Sequence, residues 1–252
     1  MSVKALILRG PGTNCDHETE HALAEAGAAT ERVHIHRFLD EAEPRRLDEF
    51  DLLVLPGGFS YADDISAGRV FANKLRFGLG DALNAFVAAG KPVLGICNGF
   101  QILMETGVLQ LDPRSRSASL GHNDSGRFEC RWTRLQVDRG SRCRLLEGLD
   151  DFVAWPVAHA EGKFVCSPEV LAALEGAGRV ALRYGDEHAR YPENPNGSVG
   201  RVAGLCDESG LVLGLMPHPE RSLARRDDPS SAVGGRRLFE NLVKVAGERA
   251  SS

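Results

Sequence analysis

The sequence predicts one α/β domain: a mixed, mostly parallel central sheet with helices on both faces. Three observations predict it. In the first half, short apolar runs alternate with helical patterns across brief turns, as in a parallel sheet wrapped by crossover helices. Further on, the hydrophobic period drops to two, the mark of half-exposed strands. No linker-like tract divides the 252 residues, a length ample for one sizeable core, so residues 1–252 read as a single domain.

The elements follow in order. Val3 to Leu8 is a short apolar run closed by the turn Gly10-Pro11-Gly12. Residues 15–26 carry helix-forming Glu and Ala, and Gly27 is placed to stop that helix. Val33 and Ile35 mark a second strand. Leu52 to Leu55 marks a third, ended by Pro56-Gly57-Gly58. Over residues 68–89, Val70, Phe71, Leu75, Leu79, Leu83, Phe86 and Val87 recur at roughly helical spacing. Val93 to Ile96 is a fourth strand and runs straight into helical sequence from Asn98 to Met104. Alternation from Phe128 to Val137 gives a half-exposed strand. Val180 to Tyr184, Val199 to Leu205 and Leu211 to Met216 add three more, with a short helix over 169–175. A last helix spans about 235–247. Ser, Asp and Pro at 225–233 read as mobile surface, within an enlarged loop over 222–234. Residues 249–252 read as a disordered tail.

Composition narrows the function. Hydrophobic residues at 42% and charged residues at 26% are ordinary for a globular protein, and a net charge of -5 argues against a nucleic-acid surface. No apolar run approaches a membrane span, and the N-terminal apolar stretch is too short for a secretion signal, so a cytoplasmic location is expected. None of the six cysteines forms a C-x-x-C pair, which removes zinc-finger and thioredoxin spacings. His17 and His21 stand four apart on a helix but lack a third ligand nearby, so no metal site is expected. G-x-G-x-x-G fails at Cys15 and there is no Walker A motif, so no ATP site is expected in this chain.

The chemistry concentrates at Pro92 to Gln101. A buried strand ends, Cys97 follows, and a helix begins at once, with Gly95 and Gly99 two residues to either side. This is the cysteine form of a nucleophile elbow: the strained turn exposes the nucleophile, and glycine lets neighbouring chain pack close. Taken alone, the pattern also fits a buried apolar thiol in a tight turn. At a helix N-terminus a thiol is activated and free amides converge. By analogy with elbow hydrolases, the amide of Asn98 is one oxyanion donor. The amide of Gly58, in the glycine-rich turn after a neighbouring strand, is the second. Pro217-His218-Pro219-Glu220 follows an apolar strand. The prolines stiffen the chain, and extended backbone points His218 and Glu220 the same way. Nucleophile, base and orienter thus read as Cys97, His218 and Glu220.

These residues resemble the class I (triad) glutamine amidotransferases, with their flavodoxin-like fold. Within that group the resemblance is to the glutaminase subunits of phosphoribosylformylglycinamidine synthase, in purine biosynthesis. It rests on Gly95 to Gln101 and Pro217 to Glu220. It also rests on Pro11 to Asp16, Pro56 to Tyr61 with Asp63, Ser125 to Arg131, and Asn194 to Ser198, and it runs from near residue 3 to about residue 245. Asn98 weighs most, since related amidotransferases of other pathways usually carry Leu, Tyr or Ala there. The resemblance implies glutamine amide hydrolysis through a Cys97 thioester, with Gln101 and Asn123 in motifs that contact the amino-acid end of L-glutamine. The ammonia passes to a large synthetase subunit that binds ATP and magnesium and converts formylglycinamide ribonucleotide to formylglycinamidine ribonucleotide. A small third subunit commonly bridges such complexes. The chain reads as a free subunit rather than a domain cut from a longer enzyme. One departure is Ala160, in Val157 to Gly162, where the resemblance leads one to expect glycine.

Three rival readings remain. Proteases and chaperone-like proteins of the wider cysteine superfamily usually carry His directly after the Cys, where this chain has Asn98. A catalytically silent regulatory subunit conflicts with the intact Cys97, His218 and Glu220. An amidotransferase serving another synthetase is disfavoured by Asn98.

Overall fold

The computed structural model describes residues 2–40, 42, 44–63, 68–223 and 229–250. Strand β1 (Lys4–Arg9) is buried at every residue from Ala5 to Leu8, so it is covered on both faces. Helix α1 (Asp16–Glu25) opens with Asp16 and Glu18, which suit the positive end of its dipole. It closes at Gly27, whose φ of 91° is left-handed, and Ala28 N–H returns to Leu23 O as in a Schellman cap. Then come β2 (Ala29–His34), β3 (Leu52–Leu55), α2 (Arg69–Ala88), β4 (Val93–Ile96) and α3 (Asn98–Thr106). The second half supplies β5 (Ala118–His122), β6 (Glu129–Val137), β7 (Phe152–His159), β8 (Glu161–Cys166), α4 (Pro168–Gly176), β9 (Val180–Tyr184), β10 (Val202–Cys206), β11 (Val212–Leu215) and α5 (Pro229–Ala250).

Among the described residues the main sheet has nine strands in the order β2-β1-β3-β4-β11-β10-β9-β6-β7. The pairings from β2 through β11 are parallel, and those from β11 through β7 are antiparallel. The sheet is therefore mixed, as expected, but with four pairings of each kind rather than a parallel majority. Strands β5 and β8 form a separate antiparallel pair. The strands absent from the sequence reading are β5, β7 and β8. Strand β7 carries Pro156, which has no N–H for a ladder and is tolerated because β7 is the edge strand.

Helices α2 and α3 pack on each other, α1 and α5 do likewise, and β3 touches both α3 and α5. Trp155, Tyr184, Phe71, Phe100, Phe164 and Phe239 are the largest fully buried side chains. Phe100 fills the space over Gly214, where a β-carbon would stand 2.2 Å from its ring. That fit locks the first turn of α3 onto β11.

The expected loop over 222–234 needs correction. Helix α5 begins at Pro229, so residues 229–234 are helical, and 249–250 are still helical rather than tail. Proline is favoured in a first helical turn because its φ is preset and its missing N–H costs nothing there. The rest of that loop reading, 224–228, and tail residues 251–252 lie outside the described residues. Among the described residues no helix is long and apolar enough to cross a membrane.

Candidate active site

Cys97 is the joint between β4 and α3, with φ 51° and ψ -105°. A non-glycine residue held there costs about 1–3 kcal/mol, so the surroundings must over-determine it. They do so from both sides. Its N–H donates to Leu215 O at 2.8 Å, and its carbonyl accepts from the N–H groups of Phe100 and Gln101. The flanking glycines are needed for close approach: a β-carbon on Gly99 would stand 1.9 Å from Leu55 O, and one on Gly95 would stand 2.6 Å from Gly99 O. The thiol is 5% exposed and lies 3.8 Å from Ala158 O.

His218 sits just past the end of β11, anchored by its N–H to Pro156 O at 2.8 Å. Glu220 Oε1 lies 2.6 Å from His218 Nδ1, with both residues buried. The sequence assigned this pairing to extended chain. In the structure Pro219–Arg221 is a 3-10 turn, and the turn brings the carboxylate back to the ring. Burial opposes a charged imidazole here. The Glu220 carboxylate, then the sulfurs of Cys97 and Cys15, outweigh it and raise the His218 pKa well above the usual histidine value.

Gly58 has φ 148°, and its turn clamps the segment after β1: Phe59 N–H donates to Gly12 O, and Asn14 N–H to Gly57 O. A β-carbon at Gly58 would stand 2.7 Å from Gly12 O and 2.8 Å from Asn14 N, so only glycine fits. Among the described residues, neither the Gly58 nor the Asn98 amide has a hydrogen-bond acceptor. Both N–H groups therefore remain free to donate. The side chain of Asp63 lies outside the described residues.

Asn98 also ties this turn to the rest of the site. Its Oδ1 accepts from Ser60 N–H at 3.3 Å, and its Nδ2 donates to Gln101 Oε1 at 3.0 Å. Gln101 Nε2 in turn donates to Glu161 O at 2.7 Å. Asn123 donates to Arg127 O and His159 O, and its Oδ1 faces His159 Nδ1 at 3.0 Å. The amides of Gln101 and Asn123 are thus engaged in bracing the turn between β7 and β8. Ala160, at that turn, is exposed and has no positive φ, and its carbonyl accepts from Asn123 N–H. The missing glycine costs the local backbone nothing.

Three residues beside the triad escaped the sequence reading of the site. His159 is buried. The two donor bonds of Asn123 fix its amide, so His159 Nδ1–H donates to Oδ1 and Nε2 is left buried without a partner. Burial, then the charge of His218, lowers its pKa to about 4. Cys15 and Arg221 meet at 3.1 Å, sulfur to guanidinium. A β-carbon on Gly57 would lie 2.9 Å from His218 Cε1, 3.2 Å from Cys15 Sγ and 3.5 Å from Cys97 Cβ, so all three crowd one glycine. Cys15 lies in a segment that carried the resemblance, and His159 in the segment noted for its departure at Ala160, which were the available signals. His17 Nε2 is 2.7 Å from Arg32 Nη1.

An elbow cysteine, a carboxylate-held imidazole and two free amides on a mixed α/β sheet make up the arrangement a thiol amidohydrolase would need. The family model of the CobB/CobQ-like glutamine amidotransferase domain matches residues 2–244, and the chain belongs to that family. Its likeness reaches further than the class. It is 46% identical to phosphoribosylformylglycinamidine synthase subunit PurQ of Dehalococcoides mccartyi, over 97% of this chain and 98% of that one. It is 42% identical to the same subunit of Treponema denticola, over 91% and 92%. Among solved structures it resembles a chain of PurLQS from Thermotoga maritima. That match has a TM-score of 0.76 at 33% identity and covers 97% of this chain and 99% of that chain.

Proposed function

We propose that this chain is the glutaminase subunit of a phosphoribosylformylglycinamidine synthase and that Cys97, His218 and Glu220 carry its chemistry. The observation that carries the reading is the 2.6 Å His218–Glu220 pair set against the strained Cys97 elbow, in a chain of this family.

The Cys97 thiolate attacks the side-chain carboxamide of glutamine. The amides of Gly58 and Asn98 receive the oxyanion, a type of contact worth about 2.7–4 kcal/mol per donor. His218, charged and held by Glu220, gives a proton to the departing ammonia, leaving a glutamyl thioester. Water then attacks the thioester while His218 takes its proton, releasing glutamate and the thiol. Gln101 and Asn123 act on the amino-acid end of glutamine through the turn they brace.

The ammonia serves a large synthetase subunit that binds ATP and magnesium, with a small bridging subunit, in the cytoplasm. A docking face suits that partner. Phe59, next to Gly58, is 46% exposed and Phe128 is 50% exposed, with ring centroids 6.3 Å apart. A partner seated there presses directly on the oxyanion turn.

Cys97→Ala in the reconstituted complex tests the reading. Glutamine-dependent synthesis is expected to fall at least about 10³-fold, as when a covalent nucleophile is removed. Ammonia-dependent synthesis should persist unchanged. Loss of both activities would make Cys97 a structural residue and overturn the assignment.

A further inference from the structure

The hydrolysis derived above uses one thiol, yet a second stands inside the same cluster. Cys15 is 2% exposed, and its sulfur is pinned between Asn14 Oδ1 at 3.2 Å and Arg221 Nη2 at 3.1 Å. One donor atom each from Cys15, His218 and Glu220 lies within 4.8 Å of the others, and all three residues are buried. Two atoms of this cluster still have lone pairs to offer a metal. His218 Nε2 and Glu220 Oε2 are buried with no hydrogen-bond partner. Buried polar atoms without partners are rare, and each one asks for an occupant.

We propose that Cys15, His218 and Glu220 form a binding site for a thiophilic divalent cation, Zn²⁺ by its chemistry, and that its occupancy silences the triad. The donor set is one sulfur, one imidazole nitrogen and one carboxylate oxygen. Zinc takes that mixture in tetrahedral sites, whereas calcium and magnesium demand oxygen throughout. Bonds of about 2.0–2.3 Å put neighbouring donors about 3.3–3.8 Å apart, so closure needs side-chain shifts of about 1 Å. Coordination releases the Cys15 thiol proton and the imidazolium proton to solvent. The fourth position is left to water, as in three-ligand zinc sites.

The consequence for the triad is direct. A metal on the imidazole takes the lone pair that must receive and return the proton of the reaction, and it draws Glu220 from its orienting role. Arg221 sets the strength. Its positive charge stands beside the sulfur and opposes a second cation, so the site is reversible rather than a permanent structural centre. That the metal silences hydrolysis rests on the function proposed above; that it binds does not.

The test uses the full-length chain, with Zn²⁺ titrated against a chromogenic chelator and Co²⁺ as the spectroscopic probe. One equivalent of Zn²⁺ is expected per chain, and Co²⁺ should show a thiolate-to-metal charge-transfer band. Cys15→Ser should weaken Zn²⁺ binding at least tenfold and remove that band, and whatever glutamine turnover the metal-free variant retains should no longer be inhibited by Zn²⁺. The exposed Cys130, changed to Ser, should alter nothing. Unchanged affinity in Cys15→Ser, or loss of binding in Cys130→Ser, overturns the site. If Cys15→Ser proves unstable, cadmium NMR of the unmodified chain decides: a shift for mixed sulfur and nitrogen ligation supports the site, and one for oxygen alone overturns it. Bound Zn²⁺ with undiminished turnover would overturn the silencing. A metal-free parent with no turnover at all, alone or in the complex, would instead refute the glutaminase reading.

Discussion

The parallel and antiparallel halves of the nine-stranded sheet make different contributions to the site. From β2 to β11 the parallel half delivers backbone: the Cys97 elbow after β4, the glycine turn after β3 and the free amides of Gly58 and Asn98. Strand ends at one edge of a parallel sheet are where such groups collect. From β11 to β7 the antiparallel half delivers braces: Pro156 O on His218 N–H, Ala158 O near the Cys97 sulfur, and His159 locked by Asn123. The seam shows in the two buried histidines. His218 is held charged by a carboxylate and sulfurs, while His159 has only burial and a neighbouring positive charge and is held neutral. Two imidazoles of similar burial are thus driven to opposite states by what lies beside them. On the proposed function, one side of the site does the chemistry and the other fixes geometry.

Breaking the charged side should have the larger effect. Glu220→Gln leaves His218 buried with no anion on Nδ1, and glutamine turnover should drop about 10²–10⁴-fold, as when the orienting carboxylate of a triad is neutralised. Because Glu220 raises the His218 pKa, the alkaline limb of the kcat/KM profile should also move to lower pH. An unmoved limb would mean that the carboxylate only packs. The sign for stability follows. The folded His218 pKa lies above the unfolded one, so its contribution is full below about pH 6.5 and is lost as pH rises through the folded value.

The neutral side should show the reverse sign and a smaller effect. The folded pKa of His159, about 4, lies below the unfolded value, so its contribution is full above about pH 6.5 and is lost as pH falls toward the folded value. Between those limits the parent should lose stability on acidification, by about 3 kcal/mol at full titration from this group. His159→Gln should flatten that part of the melting-temperature profile while keeping most of the glutamine turnover. Equal acid slopes in the two proteins would place the acid sensitivity elsewhere.

The same division explains what was legible in the sequence. The parallel half announces itself because fully buried strands are continuous apolar runs and its turns need glycine. Leu52–Leu55, Val93–Ile96 and the Cys97 elbow all emerge with bounds at or near those observed. The pair His218 and Glu220 was legible from the prolines, although a 3-10 turn rather than extended chain joins them. The antiparallel half hides because its signals are weaker. Strand β7 is interrupted by Pro156, β5 is five residues long, and β8 mixes Glu, Gly and Lys with Phe and Val. With β7 and β8 unread, His159 had no place in the site, and the bracing hydrogen bonds of Asn123 and Gln101 were not legible. Cys15 was out of reach for a different reason: its approach to His218 joins residues 203 positions apart, and no periodicity encodes that.

The most direct test of the account is to label the pure protein with the glutamine analogue 6-diazo-5-oxo-norleucine and locate the adduct by peptide mass spectrometry. The account predicts one adduct, on Cys97, blocked by excess glutamine, with Cys15 untouched. An adduct on Cys15, or none with the synthetase present, would contradict the claim that the Cys97 elbow is where glutamine is opened.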